Sequence, residues 1–468
     1  MTAPVWSGPP RSGHRRGPAP AWRVPFGPVD EVSRHWLRES EPETVHIEVH
    51  LPGRPDPARL RHAFAEALRR HPRVLMREAP RRWYQRRYEW DVTRAPDTDP
   101  VHFPSAGADA LMLARNRALT HCPPLSASPP LRLEVVDPGL DAEGCVLVLT
   151  LHHTALDAPS GLRLLATTAE VYGGVRDEPL ARPRPTGGRY RSEAAPRAPR
   201  GRPARLAAVA TGRDRGPGRV ADGLALAELP VPARSPRAPD GTAAHSINDQ
   251  LLVAASVMVT RWNRLHDGVG QPVWLNMPVD DRPHGPLMPM GNGTRMLRVP
   301  VSPQEPADTQ LLAADEPDPD AVTRLLRQTA LRTRALKAAP AGPPLGRGAA
   351  LLTLPVLPVG ARRAAARTVR EAGAKRASTM LVSNLGRVPY RLDFADAGTA
   401  RAVYFSAPAR RPTGVSLTVT GTGDRLHVAL RWSRALFDDH AGASLSDLFA
   451  RSLAATSWRD PVPHRSGA

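Results

Sequence analysis

At 468 residues and 41% apolar content, the chain is too long for one ordinary compact domain and can build more than one core. Its 53 prolines and 36 glycines predict long irregular connections between folded parts. The formal charge is +19, but nearly all of the positive charge is arginine (Lys337 and Lys375 are the only lysines) and it is scattered along the chain. With no recognisable base-reading element beside it, this pattern argues against nucleic-acid binding and suits a surface that meets an acidic partner protein or an anionic cofactor. Cys122 and Cys145 are the only cysteines, so neither a disulfide framework nor a metal-ligand cluster is expected.

Residues 1–22 are rich in proline, glycine and arginine and lack the apolar run of a signal peptide, so they read as a disordered arm. Residues 45–51 alternate apolar and polar side chains as a half-buried strand does. Pro57 opens a helix whose apolar positions, Leu60, Ala63, Phe64, Ala67 and Leu68, keep the 3.6-residue period and stop before His71-Pro72. Short strands are expected near 74–77 and over 83–92, with Trp83 and Trp90 in the core. Strands follow at 131–136 and 145–151. The second is almost continuously apolar, so it should be an interior strand buried on both faces. A helix over about 160–172 comes next.

Residues 173–219 turn abruptly to proline, arginine and glycine and read as a linker. Order resumes with a strand at 224–229 and a nearly all-apolar helix from 246 to 266, containing Trp262, with Ser246, Asn248 or Asp249 as its cap. A strand at 273–277 leads into Pro278-Val279-Asp280-Asp281-Arg282-Pro283-His284-Gly285. Residues 302–320 read as an irregular acidic stretch, followed by a helix over 321–336. The most apolar stretch, 349–361, is too short to span a bilayer and contains Pro355 and Pro358, so a cytoplasmic protein without a membrane span is expected. Strands near 380–383, 402–406, 414–420 and 426–432 precede a last helix over 438–455, where Asp438, Asp439 and His440 sit at a capping position. The organisation expected is an arm at 1–22, an N-terminal lobe at 23–175, a linker at 176–222 and a C-terminal lobe at 223–468, each lobe α/β.

The chemistry-bearing stretch is His152-His153-Thr154-Ala155-Leu156-Asp157. It lies just past the end of the buried strand, where α/β folds place active sites. Read from residues alone, the histidines can equally be ordinary loop and Asp157 the N-cap of the helix that begins at Pro159.

Residues 149–161, Leu-Thr-Leu-His-His-Thr-Ala-Leu-Asp-Ala-Pro-Ser-Gly, resemble the HHxxxDG active-site motif of nonribosomal-peptide condensation domains and their chloramphenicol-acetyltransferase-like relatives, among them polyketide-associated acyltransferases and wax-ester synthases. Other segments resemble the family's in the same order: residues 60–73, Pro130-Leu131-Arg132-Leu133, Asn248-Asp249-Gln250-Leu251-Leu252, Met277–Pro283 with Gly291-Asn292-Gly293-Thr294, and Val382-Ser383-Asn384-Leu385-Gly386. The resemblance implies two chloramphenicol-acetyltransferase-like lobes in a V-shaped pseudo-dimer with a tunnel between them. It makes His153 the general base or the residue that positions the nucleophile, and His152 its packing neighbour. It pairs Asp157 with Arg282 in a structural, bidentate ion pair, and lets Gly161 bring the backbone close. Ser383 and Asn384 become candidates for the tunnel wall or for oxyanion stabilisation, against the alternative of a turn after a strand. Asn292 reads as turn chemistry. The implied donor is a phosphopantetheine thioester, on an acyl or peptidyl carrier protein or on coenzyme A. The acceptor would be a small alcohol or amine, and no tightly bound cofactor or metal is implied. One departure stands out: Ala158 occupies the position of the motif's glycine, where a methyl group would narrow the acceptor channel or reshape the loop, and this keeps open the alternative of a non-catalytic scaffold that retains the fold.

Overall fold

The structure is a computed structural model that describes residues 20–38, 41–139, 143–174, 196–209, 222–235, 243–268, 270–282, 288–339 and 352–458. The arm over 1–19, most of the expected linker, Pro283-His284-Gly285 and residues 349–351 of the apolar stretch lie outside these residues.

Two sheets organise the molecule. The first has five strands in the order β12 (Ala402–Ser406), β2 (Thr44–Leu51), β7 (Cys145–His152), β6 (Leu131–Val136) and β5 (Val101–His102). The second has six, in the order β10 (Thr294–Pro300), β9 (Trp274–Asp280), β11 (Met380–Arg387), β13 (Val415–Thr422), β14 (Arg425–Trp432) and β8 (Gly223–Pro230). A small third sheet joins β1 (Trp22–Pro25), β4 (Glu89–Val92) and β3 (Met76–Glu78).

The buried apolar run of β7 takes the central position between β2 and β6, and all eight of its residues are buried. Helices α2 (Pro57–Arg70), capped by Asp56, and α4 (Ala158–Gly173) cover one of its faces, and α3 (Ala110–Thr120) packs on the other. The second core gathers around α5 (Ile247–Leu265), whose Ser246 and Asp249 form a reciprocal capping box. It is flanked by α7 (Pro319–Ala338) and by α9 (Asp439–Ala455), capped by Asp438.

Several expectations need correction. Residues 45–51 were expected to be half-buried, yet His46 and Glu48 are fully buried. Arg115 of α3 (Ala110–Thr120) reaches Glu48 at 2.7 Å. Burial pushes the Glu48 carboxyl up, but Arg115 and His46 hold it well below the usual carboxylate range. The strand expected over 83–92 covers only β4, and Trp83 is 72% exposed, because the arginines on both sides of it keep this loop in water. Trp90 and Trp262 are core residues as expected. The acidic stretch 302–320 contains helix α6 (Pro306–Ala313). Helices α1 (Pro28–Trp36), α3 and α8 (Val359–Gly373) were not anticipated; α1 and α8 set charged residues against small or few apolar ones rather than showing a broad apolar stripe.

The two lobes are tied together by chain crossing. Strand β12 comes from the C-terminal part of the chain but pairs with β2 of the first sheet, and residues 388–405 complete the first core. Alternate side chains of β13 then reach the β12 main chain: Ser416 donates to the Ala407 carbonyl at 2.6 Å, and Thr418 and Thr420 donate to the carbonyls of Phe405 and Val403. Arg431 of β14, fully buried, donates to Asp222 at 2.6 Å and to the Thr44 carbonyl at 2.8 Å. These bonds set the walls of the site described next.

Candidate active site

Past the end of β7 the chain makes a tight turn into α4. The His153 amide donates to the Glu43 carbonyl at 2.8 Å, and the amides of Ala155 and Leu156 donate to the His152 carbonyl at 2.9 and 3.1 Å. The His152 ring faces inward and accepts from the Thr154 amide at 3.1 Å. Burial pushes this imidazole down to about 4, so it is neutral in the fold.

Asp157 closes the turn with both of its oxygens. Oδ1 caps α4 by accepting from the amide and hydroxyl of Ser160 at 3.1 and 2.8 Å. Oδ2 accepts from Arg282 at 2.7 Å and from the Gly293 amide at 3.0 Å. Cap and ion pair are therefore both present in one carboxylate. The bidentate geometry expected for this pair belongs elsewhere: the Arg282 fork grips Asp280, at 2.9 and 3.2 Å, and Asp157 receives a single bond. The same guanidinium also donates to the carbonyls of Pro289 and Gly291. A Cβ at Gly293 would sit 2.3 Å from the Arg282 side chain, so a glycine is needed there for the arginine to pass.

Asn292 does more than turn the chain. Its amide nitrogen lies 3.1 Å from the His153 carbonyl, 2.9 Å from that of Thr154 and 3.0 Å from Asp30 of α1. A loop of the C-terminal half thus holds the histidine turn of the N-terminal half by its main chain. Asp30 also accepts from the Trp90 indole at 3.1 Å, and burial raises its carboxyl above the ordinary value despite these bonds.

The His153 side chain faces a cavity of about 540 Å³ between the two sheets. Its walls include Asp157, Ala158 and Leu162 from the N-terminal side, and Met277, Ser383, Asn384 and Arg410 from the C-terminal side. Burial lowers the His153 imidazole from its usual 6.5 and the positive charge of Arg410 adds to this, while Glu43 and Asp157 oppose it. Arg410 is itself held by Glu43, with Nε at 2.7 Å. Burial opposes ionisation of Glu43, yet Arg410 keeps its carboxyl below the ordinary range. The result is a neutral imidazole beside a fixed cation.

Ser383 and Asn384 both line the cavity. The turn they might have formed is a bulge inside β11: the register against β13 shifts between Asn384 and Gly386, Gly386 has φ of +70°, and Asn384 Oδ1 accepts from the Gly386 amide at 2.8 Å. Gly161 lies away from the cavity wall, on the face of α4 that meets β2 and β7. A Cβ there would come within 2.7 Å of Ile47 and 2.8 Å of Leu151, so its role is close helix-to-sheet packing. Ala158 does line the cavity, at the first turn of α4.

Glu43, Arg410 and Asp30 escaped sequence reading. Each is a charged residue far from the histidines in sequence, and only a partner charge 367 residues away gives Glu43 its meaning. Asn292 carried a signal, its two flanking glycines, but that pattern is also common in plain turns. Among the described residues, no group of three or more His, Cys, Asp or Glu side chains is placed to hold a metal, and no helix is long and apolar enough to cross a membrane.

No family model matches the chain. Two uncharacterized proteins of Mycobacterium tuberculosis, from strains CDC 1551 / Oshkosh and H37Rv, are each 30% identical over 257 residues, which is 51% of this chain. The chain spans 58% of the length of these relatives. Among solved structures, the starter condensation domain of rhizomide synthetase in complex with C8-CoA superimposes with a TM-score of 0.60 at 14% identity, covering 92% of this chain and 95% of that one. The first condensation domain of the CDA synthetase gives 0.58 at 15% identity, covering 93% and 97%. The wax ester synthase/diacylglycerol acyltransferase of Marinobacter aquaeolei VT8 gives 0.55 at 13% identity, covering 92% and 98%. The chain therefore has the two-lobed α/β fold seen in these condensation domains and in the wax ester synthase/diacylglycerol acyltransferase.

Proposed function

We propose that the chain is an acyltransferase that moves an acyl group from a phosphopantetheine thioester to a small alcohol or amine, with His153 as the general base. The observation that carries this reading is a neutral imidazole in a cavity walled by both lobes, on a turn whose main chain is held by Glu43 and Asn292. An imidazole so held can take the acceptor's proton as its oxygen or nitrogen attacks the thioester carbonyl. Collapse of the tetrahedral intermediate breaks the C–S bond, and the proton passes to the departing thiolate. The products are an ester or amide and a free thiol. Ser383 lies on the opposite wall and is the candidate donor to the oxyanion. The amide oxygen of Asn384 is engaged by the bulge, which leaves its amide nitrogen as the group available to substrate. Arg282 holds Asp157 and through it the start of α4, a positioning role.

The donor we favour is an acyl or peptidyl carrier protein in natural-product assembly, delivered in trans to a basic surface. Coenzyme A is a second reading, favoured by the similar fold of a condensation domain crystallised with C8-CoA. The test is thiol release from acyl carrier protein and from acyl-coenzyme A with a panel of alcohols and amines. Acceptor-dependent release from at least one donor, lost in His153→Ala, is the expected result. Release that is independent of acceptor, or unchanged in the variant, overturns the proposal.

A further inference from the structure

Of the large apolar side chains exposed among the described residues, several stand singly and Met112 and Leu113 are neighbours in α3, but one group is larger. Trp83, Tyr84, Leu354, Val356 and Leu357 are all exposed, Trp83 at 72% and Val356 at 71%. They come from two loops that the main chain ties together: the Val359 amide donates to the Gln85 carbonyl at 2.8 Å, and the Gly360 amide to the Trp83 carbonyl at 3.1 Å. Arg362, buried at the base, donates to the Thr353 carbonyl at 2.8 Å and pairs with Glu31 at 2.6 Å, so the patch stands on a fixed support. Its chemistry has two further features. The loop over 81–87 reads Arg-Arg-Trp-Tyr-Gln-Arg-Arg, with no carboxylate, and Arg82, Arg86 and Arg87 are exposed. The loop over 354–358 reads Leu-Pro-Val-Leu-Pro, again with no carboxylate, and its two prolines carry no N–H. In α8, exposed Arg367 and half-buried Arg363 continue the basic rim.

We propose that this face docks on an anionic lipid surface, with Trp83, Val356 and Leu357 entering the interfacial region and Arg82, Arg86, Arg87 and Arg367 meeting the headgroups. Indole and phenol rings favour the membrane interface, having one apolar and one hydrogen-bonding end. Arginines around them add attraction to anionic headgroups and none to neutral ones. The missing N–H groups of Pro355 and Pro358 matter most in lipid, where a backbone donor finds no water. An acidic protein would satisfy the arginines, but it would have to offer a matching apolar hollow to two protruding loops, whereas lipid conforms to them. The proposal is independent of the acyl-transfer reading.

The test is co-sedimentation of the full chain with vesicles of phosphatidylcholine alone and of phosphatidylcholine mixed with phosphatidylglycerol. Binding to the mixed vesicles is expected, falling as salt is raised. Arg86→Glu and Arg87→Glu should each weaken it about fivefold. Trp83→Ala with Leu357→Asp should weaken it about tenfold or more, with the melting temperature unchanged because both side chains point into solvent. Absence of binding to the anionic vesicles overturns the proposal. So does binding that survives all four substitutions. Capture of an acidic acyl carrier protein that Trp83→Ala abolishes, with no vesicle binding, would assign the face to a protein partner instead.

Discussion

The two walls of the cavity are built in opposite ways. On the N-terminal side, residues 152–158 run contiguously from the end of β7 to the first turn of α4, and hydrogen bonds to the main chain hold their shape. On the C-terminal side, the wall is collected from β9, β10, β11 and the segment from Phe405 to Val415; ladder bonds join the strands, and Arg282 and Arg410 tie this wall to Asp157 and Glu43 of the other. A contiguous turn places a reactive group accurately and needs few partners. A collected wall defines the shape of the cavity, and buried charge holds it against the first. Substitutions in the first should therefore change chemistry, and those in the second should change stability first.

The largest effect expected is from His153→Ala: loss of at least about a hundredfold in kcat, with the urea midpoint almost unchanged, measured by thiol release and by denaturation. A drop in stability that matches the drop in activity would break the contrast. Next is Arg282→Ala, which strips the counter-charge from the buried Asp157 and Asp280 together; a loss of about 3–5 kcal/mol is expected in urea unfolding. Asp157→Ala should cost less, because the Arg282 fork remains on Asp280; what is lost is one Arg282 bond, the bond from the Gly293 amide and the helix cap, the cap being worth about 1 kcal/mol. Equal losses from the two variants would mean that Asp280 is not the principal partner.

Asn292→Ala removes the link between the walls, and Asp30 loses a donor. A stability loss of about 1–3 kcal/mol is expected, together with a fall in kcat that His153→Ala cannot add to. A pH profile sharpens the electrostatic side. Burial and Arg410 depress the His153 imidazole, so the acid limb of kcat/KM should lie below 6.5; an inflection at or above 6.5 would rule out the neutral-base assignment. His152 bears on stability in the same direction. Its neutral form is favoured by the fold, so its contribution is complete above about 6.5 and is lost as pH falls toward 4. The smallest effect is expected from Ala158→Gly, which removes one methyl group from the wall: a change of a few-fold in acceptor KM, with donor KM unaffected.

Much of this was legible from local pattern. The apolar run of β7, the period of α2, the capping residues Ser246 and Asp438, and the position of His153 beyond a buried strand all follow from neighbours within a few residues. Apolar spacing failed where large apolar residues are few, as in α8, and where a polar face is buried under an unforeseen helix, as β2 is by α3. Asp157 is instructive because both of its readings were available in sequence, and a carboxylate with two oxygens could satisfy both.

By itself, the sequence determined the elements and the histidine turn, because hydrogen-bond periodicity, caps and apolar spacing act over short separations. Only the tertiary structure decided which charges meet. Glu43 finds Arg410, Asp157 shares Arg282 with Asp280, and β12 crosses to the first sheet through contacts between residues hundreds apart. An ion pair leaves no periodic trace in a chain with 64 basic and 45 acidic residues, because almost any partner is possible until folding brings one within 3 Å. The same holds for Ala158: its identity is plain in the sequence, but its place on the cavity wall depends on the packing of both lobes.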